Sequence, residues 1–182
     1  MTQILHLAPI KSHLDQDLGT KINLAPEGLS ASVCSLAEAQ YKNGFSVGVI
    51  SSKESSRVVS ENIYWNSIAN KSLFSLIFLN PIKRIKEEFG EVDILNIHDI
   101  YNIRQLIFLY QSIYKGIKIY ISPRGCFSEI ALSRSKIKKR LYLTFLIRPF
   151  LKYIEGFVAL NKGEKEQISK VFKFSKIIII KN

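Results

Sequence analysis

Short apolar runs and longer amphipathic stretches alternate along the whole chain. Ile4–Ala8 is nearly all apolar and predicts a first strand. A helix is predicted from Ser30 to Asn43, with Leu29, Val33, Leu36, Ala37 and Tyr41 on one stripe and Gly44 as its left-handed stop. Phe45–Ile50 reads as a second strand and Ile63–Trp65 as a short third one. Ser72–Phe89 has helical character, with Pro81 expected to break or kink it. The rhythm then repeats: strand Asp93–Ile97, helix Asn102–Tyr114, strand Ile117–Ser122, and a long helix Lys136–Ile154 kinked before Pro149. Strand Gly156–Leu160, helix Gly163–Val171 and strand Lys176–Ile180 complete the pattern.

Apolar strands alternating with helices predict an α/β fold: a Rossmann-like, doubly wound, mainly parallel sheet covered on both faces. No internal repeat or low-complexity segment interrupts residues 1–182, which are expected to form a single domain. Pro9–Gly28 is the most irregular stretch, and a loop of that length inside a compact domain is usually functional. No G-x-G-x-x-G follows the first strand, and neither a P-loop nor a G-x-S-x-G elbow occurs. No Cys or His spacing suggests a metal site.

Composition and the apolar run lengths narrow this picture. With 47% hydrophobic and 11% aromatic residues the chain can bury a core, which excludes disorder. Twenty-six Lys and Arg against 15 Asp and Glu give a net charge of +11, which favours anionic partners. The start of the chain lacks a basic region followed by an apolar run, so a signal peptide is not expected. A cytoplasmic setting with Cys34 and Cys126 as free thiols follows. No apolar stretch reaches the roughly 20 residues that span a bilayer.

In a doubly wound sheet, ligands bind beyond the carboxyl ends of the strands, where the strand order switches. Four polar segments are expected at that edge: Pro26–Ser30, His98–Asn102, Pro123–Cys126 and Asn161–Glu164. Gly28 stands before a helix N-terminus, where anions are favoured, or is an ordinary loop glycine. His98 is placed to line a pocket, or is a strand-end histidine satisfied by backbone. Arg124 cannot act as a general base, but can pair with a phosphate or carboxylate, with Gly125 shaping the turn. Lys139 is a candidate for a ligand phosphate and Glu164 a candidate for ligand contact. His6 reads as structural, Cys34 as a packed small residue, and Cys126 lacks a neighbouring base to activate it.

The order of these segments resembles the N-terminal domain of glycosyltransferase family 4. The resemblance rests on Leu36-Ala37 leading to Gly44-Phe45-Ser46-Val47, on Asp93-Ile94-Leu95-Asn96-Ile97-His98, on Ser122-Pro123-Arg124-Gly125, and on the basic Lys138-Lys139 helix. It implies the acceptor-side half of a GT-B fold, with the donor-binding C-terminal domain absent. It also implies a retaining hexosyl transfer from a nucleotide-sugar to a glycan or lipid-linked acceptor in cell-surface polysaccharide (lipopolysaccharide) biosynthesis. No metal or cofactor is required, and the isolated chain is expected to be inactive. Gly28 then matches a loop that approaches the donor, and Glu27, standing where the family often has a second glycine, is left to bond an acceptor hydroxyl. Arg124 stands where many members have His, and becomes an anion clamp.

The competing expectation is a non-catalytic Rossmann-like module that binds a phosphorylated ligand. Nucleic acid is not expected as a partner, since no recognition motif accompanies the charge. Arg134, Lys136, Lys138, Lys139 and Arg140 precede the apolar stretch Leu141–Ile154. That arrangement suits either peripheral contact with an anionic membrane at its inner face or a solvated start to a core helix. The run Ile177–Ile180 needs sheet partners if it is not to promote aggregation.

Overall fold

The computed structural model describes residues 1–10, 28–52, 62–68, 71–78, 81–173 and 176–180. Glu27, Pro26, His13 and most of the irregular Pro9–Gly28 stretch lie outside these residues. The strands are β1 (Gln3–Ala8), β2 (Ser46–Ser51), β3 (Tyr64–Ser67), β4 (Ile94–His98), β5 (Lys118–Ser122), β6 (Ile154–Ala159) and β7 (Ile177–Ile179). They form one seven-stranded sheet in the order β3-β2-β1-β4-β5-β6-β7, and every pairing is parallel. This is the expected Rossmann-like architecture. The order runs outward from β1 in one direction through β2 and β3, then restarts beside β1 with β4. The switch therefore falls between β1 and β4.

Register explains how the two faces differ. Leu5 and Leu7 lie level with Leu95 and Ile97, which in turn lie level with Ile119 and Ile121. All six belong to the main core. Against that face pack α2 (Leu73–Phe78), α3 (Pro81–Phe89), α4 (Ile103–Tyr114) and α7 (Lys162–Val171), through Leu76, Ile85, Phe108, Leu109 and Ile168. The alternate residues look the other way. There α1 (Gly28–Lys42) buries Val33, Cys34 and Ala37 against Ala8, Val47 and Val49. On β4 and β5 the same face carries Asn96, His98, Tyr120 and Ser122, so it turns polar on crossing the switch.

Two expectations about elements are corrected. The long helix Lys136–Ile154 is instead α6 (Lys136–Tyr142), a π-helical turn Leu143–Ile147 and a 3-10 segment Arg148–Tyr153, after which β6 begins at Ile154. Pro149 has no N–H to donate, and its ring would collide with the carbonyl of Phe145 in a regular helix. The wider turn before it and the tighter turn after it relieve that conflict. A short helix α5 (Glu129–Ser133), capped by the Ser128 hydroxyl accepting from the Ala131 amide, has too few residues to leave a periodic signal. Pro81 does divide its region, since α2 ends at Phe78 and α3 starts at Pro81. Ile177–Ile179 find a partner in Phe157–Ala159 of β6.

Candidate functional site

His6 on β1 and His98 at the end of β4 meet across the switch point. Their Nδ1 and Nε2 atoms are 2.9 Å apart and both rings are fully buried. The other nitrogens are also engaged: His6 Nε2 lies 2.6 Å from Gln40 Oε1, and Arg124 Nε donates to His98 Nδ1 at 3.3 Å. These ends determine the protons between them. Arginine can only donate, so His98 Nδ1 is the acceptor and its proton sits on Nε2. That proton goes to His6 Nδ1, which leaves the His6 proton on Nε2, donated to the amide oxygen of Gln40. The chain Arg124, His98, His6, Gln40 thus runs in one direction through two neutral imidazoles.

Electrostatics agrees with this assignment. Burial pulls the His6 imidazole down to about 4, with the Gln40 bond pulling upward and the Arg124 charge adding to the lowering. His98 is held well below the usual histidine range by burial first, then by His6 and Arg124. A proton added to either ring would set donor against donor in a site that excludes water.

Arg124 itself sits at the strand edge on the turn that leaves β5. Both central residues of that turn, Arg124 (φ 52°) and Gly125 (φ 80°), are left-handed, and the Cys126 amide donates to the Pro123 carbonyl at 3.2 Å. Glycine takes such a conformation freely, whereas arginine does so at a cost of about 1 kcal/mol. Three contacts hold it there. Arg124 Nη1 donates to Ser32 Oγ of α1 at 2.8 Å, His98 receives Nε, and the Gly125 amide donates to Glu164 Oε1 at 2.7 Å. Glu164 also accepts from the Leu160 amide at 2.7 Å, so its carboxylate clasps the β5 turn to the end of β6. Burial lowers the Arg124 pKa and the Glu164 charge opposes that shift; the guanidinium stays charged.

A second strained residue adjoins this turn. Asp99 (φ 67°) closes β4, and its Oδ1 accepts from the Ile100 and Tyr101 amides and from the Cys126 thiol at 3.0 Å. Burial, then the charge and hydrogen bond of Asp99, push that thiol well above its ordinary range, so Cys126 is no nucleophile. Asn102 caps α4 and donates to Ser52 Oγ at 3.0 Å, tying the end of β4 to that of β2. Gln105 reaches back to the His98 carbonyl at 2.9 Å.

The structure therefore gathers Arg124, Gly125, His98 and Glu164 at one place. His98 stands behind Arg124 rather than on the surface, and Glu164 stands beneath the turn. Gly28 is the exposed first residue of α1, with open space where a Cβ would be. Lys139 borders the edge from the other side of the sheet, donating to the Ala131 carbonyl and lying 4.9 Å from the centre of the Tyr101 ring. Sequence reasoning missed Ser32 and Gln40. Their signal was faint: two polar residues eight apart, flanking the apolar stripe of α1. A groove of about 790 Å³ lies at the opposite, amino edge between Met1, Lys83, Lys86, Lys115 and Lys118. Its described lining gathers no buried polar cluster, and it lies apart from the histidine pair and Arg124.

No family model matches this chain, and no curated protein matches it. Among solved structures it is similar to a double mutant of a Serratia marcescens short-chain dehydrogenase/reductase, with a TM-score of 0.47 and 8% identity over 99% of this chain and 96% of that one. No comparison thus supports the reading as a family 4 glycosyltransferase, with its sugar transfer and its role in polysaccharide biosynthesis, since no family model or curated protein carries it and the solved structure found is of another class; that reading is withdrawn. The physical reason lies in the motifs. A Gly-containing start of a helix, a polar strand end and a Pro-Arg-Gly turn, in that order, are what a doubly wound parallel sheet places at its carboxyl edge whatever it binds. At that identity and TM-score the likeness assigns no activity to this chain, which stands as a Rossmann-like α/β protein.

Proposed function

We propose that this protein binds a small ligand bearing an oxyanion, a carboxylate or a phosphoryl group, at the carboxyl edge of its sheet, with Arg124 as the recognition group. The observation that carries the reading is the way Arg124 is held: a left-handed, half-buried arginine anchored by His98 and Ser32 beside the switch between β1 and β4. Backbone strain kept at a residue whose side chain has a fixed direction is a common mark of a binding position. A guanidinium partly stripped of water gains more from an anion than an exposed one does. Ser32 also brings the first turns of α1 against the Arg124 turn, and the N-terminal end of that helix adds favourable potential for negative charge.

Calorimetric titration with inorganic phosphate and with acetate tests this reading, comparing the native chain with Arg124→Gly. Glycine relaxes the left-handed position, so the variant should stay folded while losing affinity by about tenfold or more, as expected for a hydrogen bond to a charged group. Equal affinity in the two proteins, or no saturable binding of either anion to the native chain, would remove Arg124 as the recognition group.

A further inference from the structure

The outer side of the helical layer is more apolar than a water-facing surface requires. On the run from α6 into the π-helical turn, Ile137 (76% exposed), Leu141 and Phe145 (66%) follow one another at intervals of four, so they project as one stripe. Ile130 on α5 is exposed as well. Their neighbours Leu143 and Ile147 are buried in the main core, so the stripe points away from the sheet. A second patch lies on α2. Phe74 (70%) and Phe78 (67%) lie against each other at 4.3 Å between ring centres, tilted by 37°, with Ile77 exposed beside them, while Leu76 turns inward.

Both patches belong to the same layer. Adjacent residues of α4 hold the two sides: Gln111 Nε2 donates to the Leu76 carbonyl at 2.9 Å, and the Tyr110 hydroxyl donates to the Leu146 carbonyl at 2.9 Å. Around the α6 stripe the charge has one sign. Arg134, Lys136, Lys138 and Arg140 are all exposed, and Glu129 is the one acid between residues 129 and 145.

We infer that this layer docks on an anionic lipid bilayer, with Ile137, Leu141 and Phe145 entering the headgroup boundary and the surrounding basic residues on the lipid phosphates. An apolar stripe rimmed by lysine and arginine fits a surface that is negative outside and apolar beneath. A second copy of the chain fits it poorly, because each copy carries a net charge of +11 and the rim would face its own sign. No helix among the described residues is long and apolar enough to cross a membrane, so the contact is peripheral. This inference does not depend on Arg124 and survives or fails separately from the proposed ligand site.

Vesicle flotation decides it, using phosphatidylcholine vesicles with and without phosphatidylglycerol. The native chain should float with the anionic vesicles and stay behind with the neutral ones. The double variant Lys136→Glu/Lys138→Glu and the double variant Ile137→Ser/Phe145→Ser should each lower partitioning by about tenfold or more. All four positions are exposed, and circular dichroism verifies that both variants remain folded. Partitioning unaffected by both variants, or no partitioning of the native chain, overturns the inference. So does sedimentation showing a dimer that Phe145→Ser dissolves while vesicles are ignored, since the occupant would then be a second copy.

Discussion

His6 and His98 face each other fully buried and in direct contact, each ring already committed to one donated and one accepted proton. In the unfolded chain each would take up a proton near pH 6.5, whereas in the folded protein His6 waits until about 4 and His98 is likewise depressed. Above about pH 6.5 both states hold neutral rings, and the stability from this pair is fully present. As pH falls from there, the unfolded state gains protons first and stability drops, with both depressed rings contributing to the fall. Urea midpoints measured across this range should show the fall, and His6→Gln should make it shallower. A profile as flat as that of a protein with exposed histidines would mean that the rings titrate in the folded state. The histidines were visible in the sequence at the right strand positions. Their pairing was not, because residues 92 apart become neighbours only when β4 is laid beside β1.

The start of β7 makes one very close approach to β6. Gly156 of β6 sits where an added Cβ would lie 2.8 Å from the Lys176 carbonyl, the same carbonyl that accepts from the Phe157 amide at 2.7 Å. Backbone cannot move aside as a flexible side chain can. Gly156→Ala is therefore expected to push β7 away and cost about 1–3 kcal/mol, with faster hydrogen exchange at Ile177–Ile179. An unchanged melting temperature together with unchanged exchange would show that β7 is not held as tightly as this geometry implies. Elements with strong periodicity, such as α1 and α4, were legible within one or two residues. The α6 region was legible only in part. Pro149 announced an irregularity, but the choice of a π-helical turn followed by a 3-10 segment depends on burying Leu143 and Ile147 in the main core, a tertiary demand.

Across the whole molecule the sheet has one apolar face and one that becomes polar past the switch, and the outer helical layer bears exposed apolar stripes on a strongly basic protein. Charge and apolar surface then act against each other in solution. Raising ionic strength from about 0.01 M to about 1 M shortens the screening length from about 30 Å to about 3 Å, which removes the repulsion between copies and leaves the apolar stripes. Sedimentation velocity should show self-association increasing with salt; a monomer at both extremes would mean that the stripes are too small to hold copies together.

The chain's patterning carried the class of fold, the element order and the edge where polar strand ends collect, because each of these is a local property: period, capping, breaker residues, apolar run length. It also marked Arg124 and Gly125, since Pro-Arg-Gly after an apolar run is a turn wherever it occurs. Roles came only with the packing. That His98 lies behind Arg124, that Glu164 spends its carboxylate on two backbone amides, and that Ser32 and Gln40 complete the network are all consequences of segments brought together from distant parts of the chain. No local pattern encodes such meetings, and a motif order shared by many parallel sheets specifies the fold without specifying an activity.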